Sequence, residues 1–206
     1  MKLRIVLALL ACTVCWAAAA GGARAQSADK GGTAKGAAAP EAAAPSDAKE
    51  PADTDPYALT GQPAPALELP RLDGETFRLA DAHEDRFVVL DFWTTWCPWC
   101  RTAAKEFEAL RKDFAEEPVG FYLVSVREEA ETVERFVARE ELEGDVVLDP
   151  EGDVISKYRV DNIPHVVIVD QTGTVRYVHI GQADMKQDVA KQLRELLAAA
   201  SEEDTA

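Results

Sequence analysis

Two cysteines separated by two residues, in Cys97-Pro98-Trp99-Cys100, are the most chemically pointed feature of this 206-residue chain. A thiol attacks only as its thiolate, so reactivity depends on surroundings that depress its pKa. Pro98 suits the first position of a helix, where a missing backbone N–H costs nothing. That puts Cys97 at a helix N-terminus, where unpaired amides and the macrodipole favour a thiolate. Cys100 follows about one turn later, close enough to form a disulfide and better shielded. Cys97 is therefore expected as the accessible nucleophile and Cys100 as the resolving thiol. Two soft thiolates could instead hold copper(I), with His165 as a third ligand, or the pair could be a structural bridge. A loop closed over two residues removes little chain entropy, which makes a poor staple. Redox chemistry is the favoured reading. The Cys97–Cys100 couple would then be the redox group, with no metal and no added cofactor.

The flanking pattern supplies the elements that position this pair. Residues 87–93, Phe-Val-Val-Leu-Asp-Phe-Trp, form an apolar run broken only by Asp91. Such a run suits a strand buried on both faces. Ala103, Phe107, Leu110 and Phe114 recur at helical spacing, which predicts a helix over 98–115. Asp73-Gly74 between residues 66–69 and 76–79 is a hairpin signal. Further strands are expected at 119–126, 146–148, 165–170 and 174–180. Residues 130–141 should form a second helix with Val133, Phe136 and Val137 inward, and Asp184 should cap a last one carrying Val189, Leu193, Leu196 and Leu197. Alternation first and a hairpin last imply an α/β domain over 57–200, a mixed sheet flanked by helices. Trp96 and Trp99 flank the nucleophile and could form an apolar docking patch. Trp93 reads as core.

The stretch Val89-Leu90-Asp91-Phe92-Trp93-Thr94-Thr95-Trp96-Cys97 resembles the active-site entry of thioredoxins. Gly61-Gln62-Pro63-Ala64-Pro65, Leu72-Asp73-Gly74, Leu148-Asp149-Pro150-Glu151-Gly152, Ile163-Pro164 and Val169-Asp170-Gln171-Thr172-Gly173 extend the likeness. With the helix at 130–141, the arrangement resembles the TlpA/ResA-like branch of exported thiol–disulfide oxidoreductases, over about residues 61–197. The resemblance implies a thioredoxin-like fold with an N-terminal β-hairpin and an inserted helix. It implies that Pro164 is a cis-proline facing the dithiol, where it and Ile163 would receive an extended substrate, and that Asp91 is a buried carboxylate serving it. The other readings are a trans proline at a strand start and a strand-end aspartate. It also implies exchange with protein thiols and disulfides, leaning towards a reductant, with apocytochrome c thiols among the targets and a membrane dithiol donor upstream.

Three positions depart from that pattern. Proline stands first rather than second between the cysteines, as in glutaredoxins and DsbA-type oxidants, and this leaves an oxidant or isomerase role open. Lys105 stands where relatives carry a helix-kinking proline, so this helix should run straighter. His165 follows Pro164 where threonine is common. It could tune the thiolate and touch substrate, or point elsewhere.

The ends of the chain address location. Lys2 and Arg4, an apolar run, and Ala23-Arg24-Ala25 form a secretory signal over 1–25. Lipoprotein processing at Cys12 and an uncleaved anchor are the alternatives. Cleavage would remove Cys12 and Cys15, leaving two of the four cysteines. Residues 26–56 are Ala-, Gly- and Pro-rich, and read as a disordered linker. Residues 201–206 read as a frayed acidic tail. The net charge of −15 argues against nucleic acid and anionic membrane surfaces, which need basic patches. A periplasmic or otherwise exported monomer is expected.

Overall fold

The computed structural model describes residues 55–203. The signal, nearly all of the linker and the last three residues expected above lie outside that range. Strand β1 (Glu68–Pro70) pairs antiparallel with β2 (Thr76–Arg78). Gly74 carries the turn between them at φ 88°, a left-handed conformation that glycine adopts without a Cβ clash. A single helical turn, α1 (Leu79–Ala82), leads to β3 (Phe87–Trp93). Then follow α2 (Pro98–Asp113), β4 (Val119–Val126), α3 (Ala130–Glu140) and β5 (Asp145–Asp149). The hairpin β6 (His165–Val169) and β7 (Val175–Ile180) and the long helix α4 (Met185–Glu203) complete the order.

The main sheet runs β5-β4-β3-β6-β7. Strands β3, β4 and β5 are parallel, and β6 and β7 pair antiparallel. Strand β3 is therefore central, and all seven of its residues are buried, as its apolar run required. Period-2 alternation divides the sheet into two faces. Val89 and Trp93 of β3, Leu123 of β4 and Val166 and Ile168 of β6 pack with Ala103, Phe107 and Leu110 of α2 and Val189 and Leu193 of α4. Val133 and Phe136 of α3 join this layer, with the Phe136 ring 5.0 Å from that of Trp93. Two successive parallel crossovers of one hand, β3-α2-β4 and β4-α3-β5, put both helices on that side. Val88, Leu90 and Phe92 face the other layer, built from the first hairpin, Leu79 and the segment carrying Val154, Tyr158 and Val160. There the Tyr158 hydroxyl donates to the Pro65 carbonyl at 2.6 Å, a bond that lets a phenol be buried without cost.

Three local expectations are corrected or refined. Helix α4 continues through Glu203, so residues 201–203 are helical rather than frayed. Asp184 does stand at the N-cap place of α4, its carbonyl accepting from the Asp188 amide at 2.9 Å, but with a left-handed backbone, φ 55°, where a capping residue is normally extended. Strand β5 is two residues longer than the apolar triplet suggested, because Asp145 and Asp149 continue its pairing with Tyr122 and Val126. Helix α2 is unbroken, and Lys105 on its surface pairs with Glu140 of α3 at 3.1 Å.

Candidate active site

Strand β3 ends at Trp93 and α2 begins at Pro98 after four intervening residues, so the dithiol sits where a buried strand hands over to a helix. Cys97 is the N-cap of α2, with extended backbone angles of −78° and 116°, and Pro98 stands in the first turn. The Cys100 amide donates to Cys97 Sγ at 3.2 Å. A sulfur so placed meets the free amides at the head of a sixteen-residue helix, which favour negative charge there. Cys97 and Cys100 are joined as a disulfide with Cα atoms 5.2 Å apart.

Cys97 retains 5% exposure and Cys100 none. Cys97 is the more exposed of the two, but in this oxidised state it is far less open than its place at a helix end suggested. The sulfur packs into the core layer below α2 rather than standing out from it. The indoles on either side do project: Trp96 is 69% and Trp99 67% exposed. Two shallow grooves lie beside these indoles. One, of about 310 Å³, is bounded by Trp99, Ile163, Pro164 and Gln182. The other, of about 200 Å³, is bounded by Trp96, Thr94, Val160 and Ile163. Ile163 belongs to both, and the Ile163–Pro164 peptide is cis. The Pro164 carbonyl accepts from the Gly181 amide at 2.9 Å, which ties this segment to the end of β7. Trp99, Ile163 and Pro164 thus share one groove, and Trp96 and Ile163 the other.

Asp91 lies in the middle of β3, fully enclosed, with neither carboxylate oxygen hydrogen-bonded to the described residues. Alternation puts it on the face shared by Val89, Trp93 and Cys100, and its cross-strand neighbours are Leu123 and Val166. Burial raises its pKa well above the ordinary aspartate value, because a desolvated charge without partners is costly. Trp93 is core, as expected, although its indole N–H finds no partner among the described residues.

His165 does not join the site. It is 0% exposed, so it cannot touch a docked substrate, and it pairs across the sheet with Phe92. Its ring meets Phe92 edge-on at 6.0 Å, in the layer opposite the dithiol. Its pKa is lowered to about 4, chiefly by burial, with Asp161 opposing the fall and His179 adding to it. It is neutral at physiological pH and placed neither to tune Cys97 nor to complete a copper site with the two sulfurs. The position follows from strand parity: directly after Pro164 the chain enters β6, and the first side chain falls on the far face.

Sequence reasoning missed the residues that hold the loop between β3 and α2. Glu128, just beyond β4 and only 8% exposed, accepts from the Thr95 amide at 2.7 Å and the Thr95 hydroxyl at 2.5 Å. It also accepts from the Ser125 hydroxyl at 3.2 Å. The Thr95 carbonyl in turn accepts from Arg101 Nε at 3.2 Å. In the sequence Glu128 is one of two adjacent glutamates before a helix, and no spacing marks it out.

Residues 60–178, more than half of the chain, match the model of the AhpC/TSA family. Over 140 residues the chain is 31% identical to "Thiol-disulfide oxidoreductase ResA" of Halalkalibacterium halodurans, covering 68% of this chain and 78% of that protein. It is 28% identical to "Thiol:disulfide interchange protein DsbE" of Pseudomonas aeruginosa over 135 residues, 64% of this chain and 72% of that one. Among solved structures, that of a DsbE-type thiol:disulfide interchange protein from Chlorobium tepidum matches with a TM-score of 0.63 at 26% identity, over 67% of this chain and 97% of that one. With the dithiol at a helix head and a carboxylate on the same face of the central strand, the chain belongs to the AhpC/TSA family, as a thioredoxin-like thiol–disulfide oxidoreductase of the ResA/DsbE type.

Proposed function

We propose that the protein reduces disulfides of exported proteins, with Cys97 as nucleophile and Cys100 as resolving thiol. The Cys97 thiolate attacks one sulfur of a substrate disulfide and releases the other as a thiolate, giving a mixed disulfide. Cys100 loses its proton to Asp91 and attacks Cys97 Sγ, freeing the second substrate thiol. Two electrons pass to the substrate, and the Cys97–Cys100 disulfide that remains is reduced again by a dithiol donor in the membrane. Trp96, Trp99, Ile163 and Pro164 line the two grooves that would receive substrate.

One observation carries the direction of electron flow. Strong oxidants of this kind stabilise their reduced form by holding the thiolate with extra charge or donors beyond the helix amides. Here the dipeptide contributes Trp99, which projects to solvent, and the histidine beside Pro164 is neutral and on the opposite face of the sheet. With helix amides as the main support for a thiolate, the reduced form gains little extra stabilisation and the disulfide is the favoured form. Equilibration with defined thiol buffers should give a potential near the thioredoxin value of about −270 mV, whereas one near −120 mV would make the protein an oxidant.

Export rests on residues 1–25, whose charged, apolar and small-residue regions read as a cleavable signal. Among the described residues no helix is long and apolar enough to cross a membrane. The intact mass of the exported protein tests this: cleavage leaves Gln26 first, whereas a lipidated Cys12 or a retained N-terminus gives a different mass.

A further inference from the structure

We propose that Glu128 is a positioning residue for the redox centre: its carboxylate ties the end of β4 to the loop bearing Cys97 and thereby keeps that cysteine at the head of α2. The inference rests on the dithiol-exchange reading above. The parallel ladder between β3 and β4 ends at the pair Trp93 and Ser125. Beyond that pair, backbone bonding no longer holds the loop, and Glu128 takes over by accepting from Ser125 on one strand and from Thr95 past the end of the other.

The chain makes a deliberate turn to put Glu128 there. Arg127 adopts a left-handed backbone, φ 57°, which is unfavourable for a side chain of its kind, and its amide is fixed to the Asp149 carbonyl of β5 at 2.8 Å. This reverses the chain and directs Glu128 back at the loop. A carboxylate so buried is costly unless donors surround it, and three do. Thr95 is held on all sides, its amide and hydroxyl by Glu128 and its carbonyl by Arg101 of α2. Arg101 itself lies over the Phe136 ring at 5.9 Å. Thr95 is two residues from Cys97, so its freedom sets how well the sulfur stays on the helix amides.

The pH dependence of Cys97 alkylation in reduced protein, read at that residue by peptide mass, separates positioning from two rivals. Loosening the loop takes the thiolate off the helix amides, so Glu128→Ala should move the profile to higher pH and slow alkylation at neutral pH by about threefold. Thr95→Val removes one donor and leaves the charge, and should shift the profile the same way by less. Thr95→Ser keeps the donor and should restore the wild-type curve. A shift to lower pH in Glu128→Ala, with Thr95→Val unmoved, would mean that Glu128 acts by its charge and would overturn the proposal. Superimposable profiles with a lowered Tm would also overturn it, as a purely structural role predicts. If Glu128→Ala does not fold, Thr95→Val and Thr95→Ser decide the matter alone. Failure of the underlying reading looks different: the wild-type protein itself would show neither a fast-reacting Cys97 nor exchange with disulfides.

Discussion

Asp91 and His165 are buried on opposite faces of one sheet although their strands are hydrogen-bonded neighbours. Asp91 pairs with Val166, and His165 pairs with Phe92. One residue of register therefore separates a carboxylate beneath the dithiol from an imidazole in the other layer. Burial disfavours the charged form of each, raising the aspartate pKa and lowering the histidine pKa. Only Asp91 shares the layer in which Cys97 and Cys100 pack.

Asp91→Asn should slow resolution of the mixed disulfide by at least about tenfold at neutral pH, as loss of a general base does. The initial alkylation of Cys97 should change much less. The defect should shrink at high pH, where the Cys100 thiol can ionise without a base. Stopped-flow measurement of both steps across pH checks this, and equal slowing of both at every pH would make Asp91 structural.

The same substitution should alter stability with a definite sign. Because the folded-state pKa of Asp91 is raised, the unfolded chain ionises first. Stability is lost as pH rises from the unfolded value of about 3.9 towards the folded one. Asp91→Asn should therefore match wild type below about pH 3.9 and gain at neutral pH, by about 2–6 °C in Tm. Thermal melts at several pH values read the crossover.

His165 predicts the opposite pH slope. Its pKa is about 4 when folded against about 6.5 unfolded, so the unfolded chain takes up the proton first as pH falls. Wild type should lose up to about 3 kcal/mol between pH 6.5 and 4 that His165→Thr does not lose. Comparing slopes in denaturant titrations, rather than absolute stabilities, removes the effect of the volume change.

The two cysteines should differ in what they trap. Limiting iodoacetamide given to the reduced protein should label Cys97 before Cys100, since Cys100 is the fully enclosed sulfur. Cys100→Ser should accumulate mixed disulfides with protein substrates and Cys97→Ser few, on non-reducing gels. Faster labelling of Cys100 would reverse the assignment.

Trp99→Ala should raise KM for a protein disulfide by about fivefold, the loss of one exposed aromatic contact of roughly 1 kcal/mol. The effect on a small aromatic disulfide should be much weaker, because such a substrate does not extend into the groove between Trp99 and Pro164. Equal effects on both substrates would mean that Trp99 acts on Cys97 rather than on substrate.

The features legible in the residues are those that local chemistry governs. The apolar run of β3, the helical recurrence of Phe107 and Leu110, Pro98 after Cys97 and the Asp73-Gly74 turn each prescribe a backbone state within a few residues. Strand β3 and strand β4 appear within the bounds their patterns predicted. Asp91 was legible too, because a carboxylate in a run buried on both faces stands out whatever surrounds it. Questions of side and depth depend on how the elements pack. The face that His165 occupies depends on where β6 begins after Pro164 and which strand it joins, and a slip of one residue would reverse it. The depth of Cys97 depends on how α2 packs over the sheet. Glu128 reaches Thr95 across 33 positions of sequence through a left-handed turn at Arg127 that no local preference favours. Such contacts are stabilised only once the strands on both sides are in place, so their selection resides in the assembled fold and leaves no periodic mark on the chain.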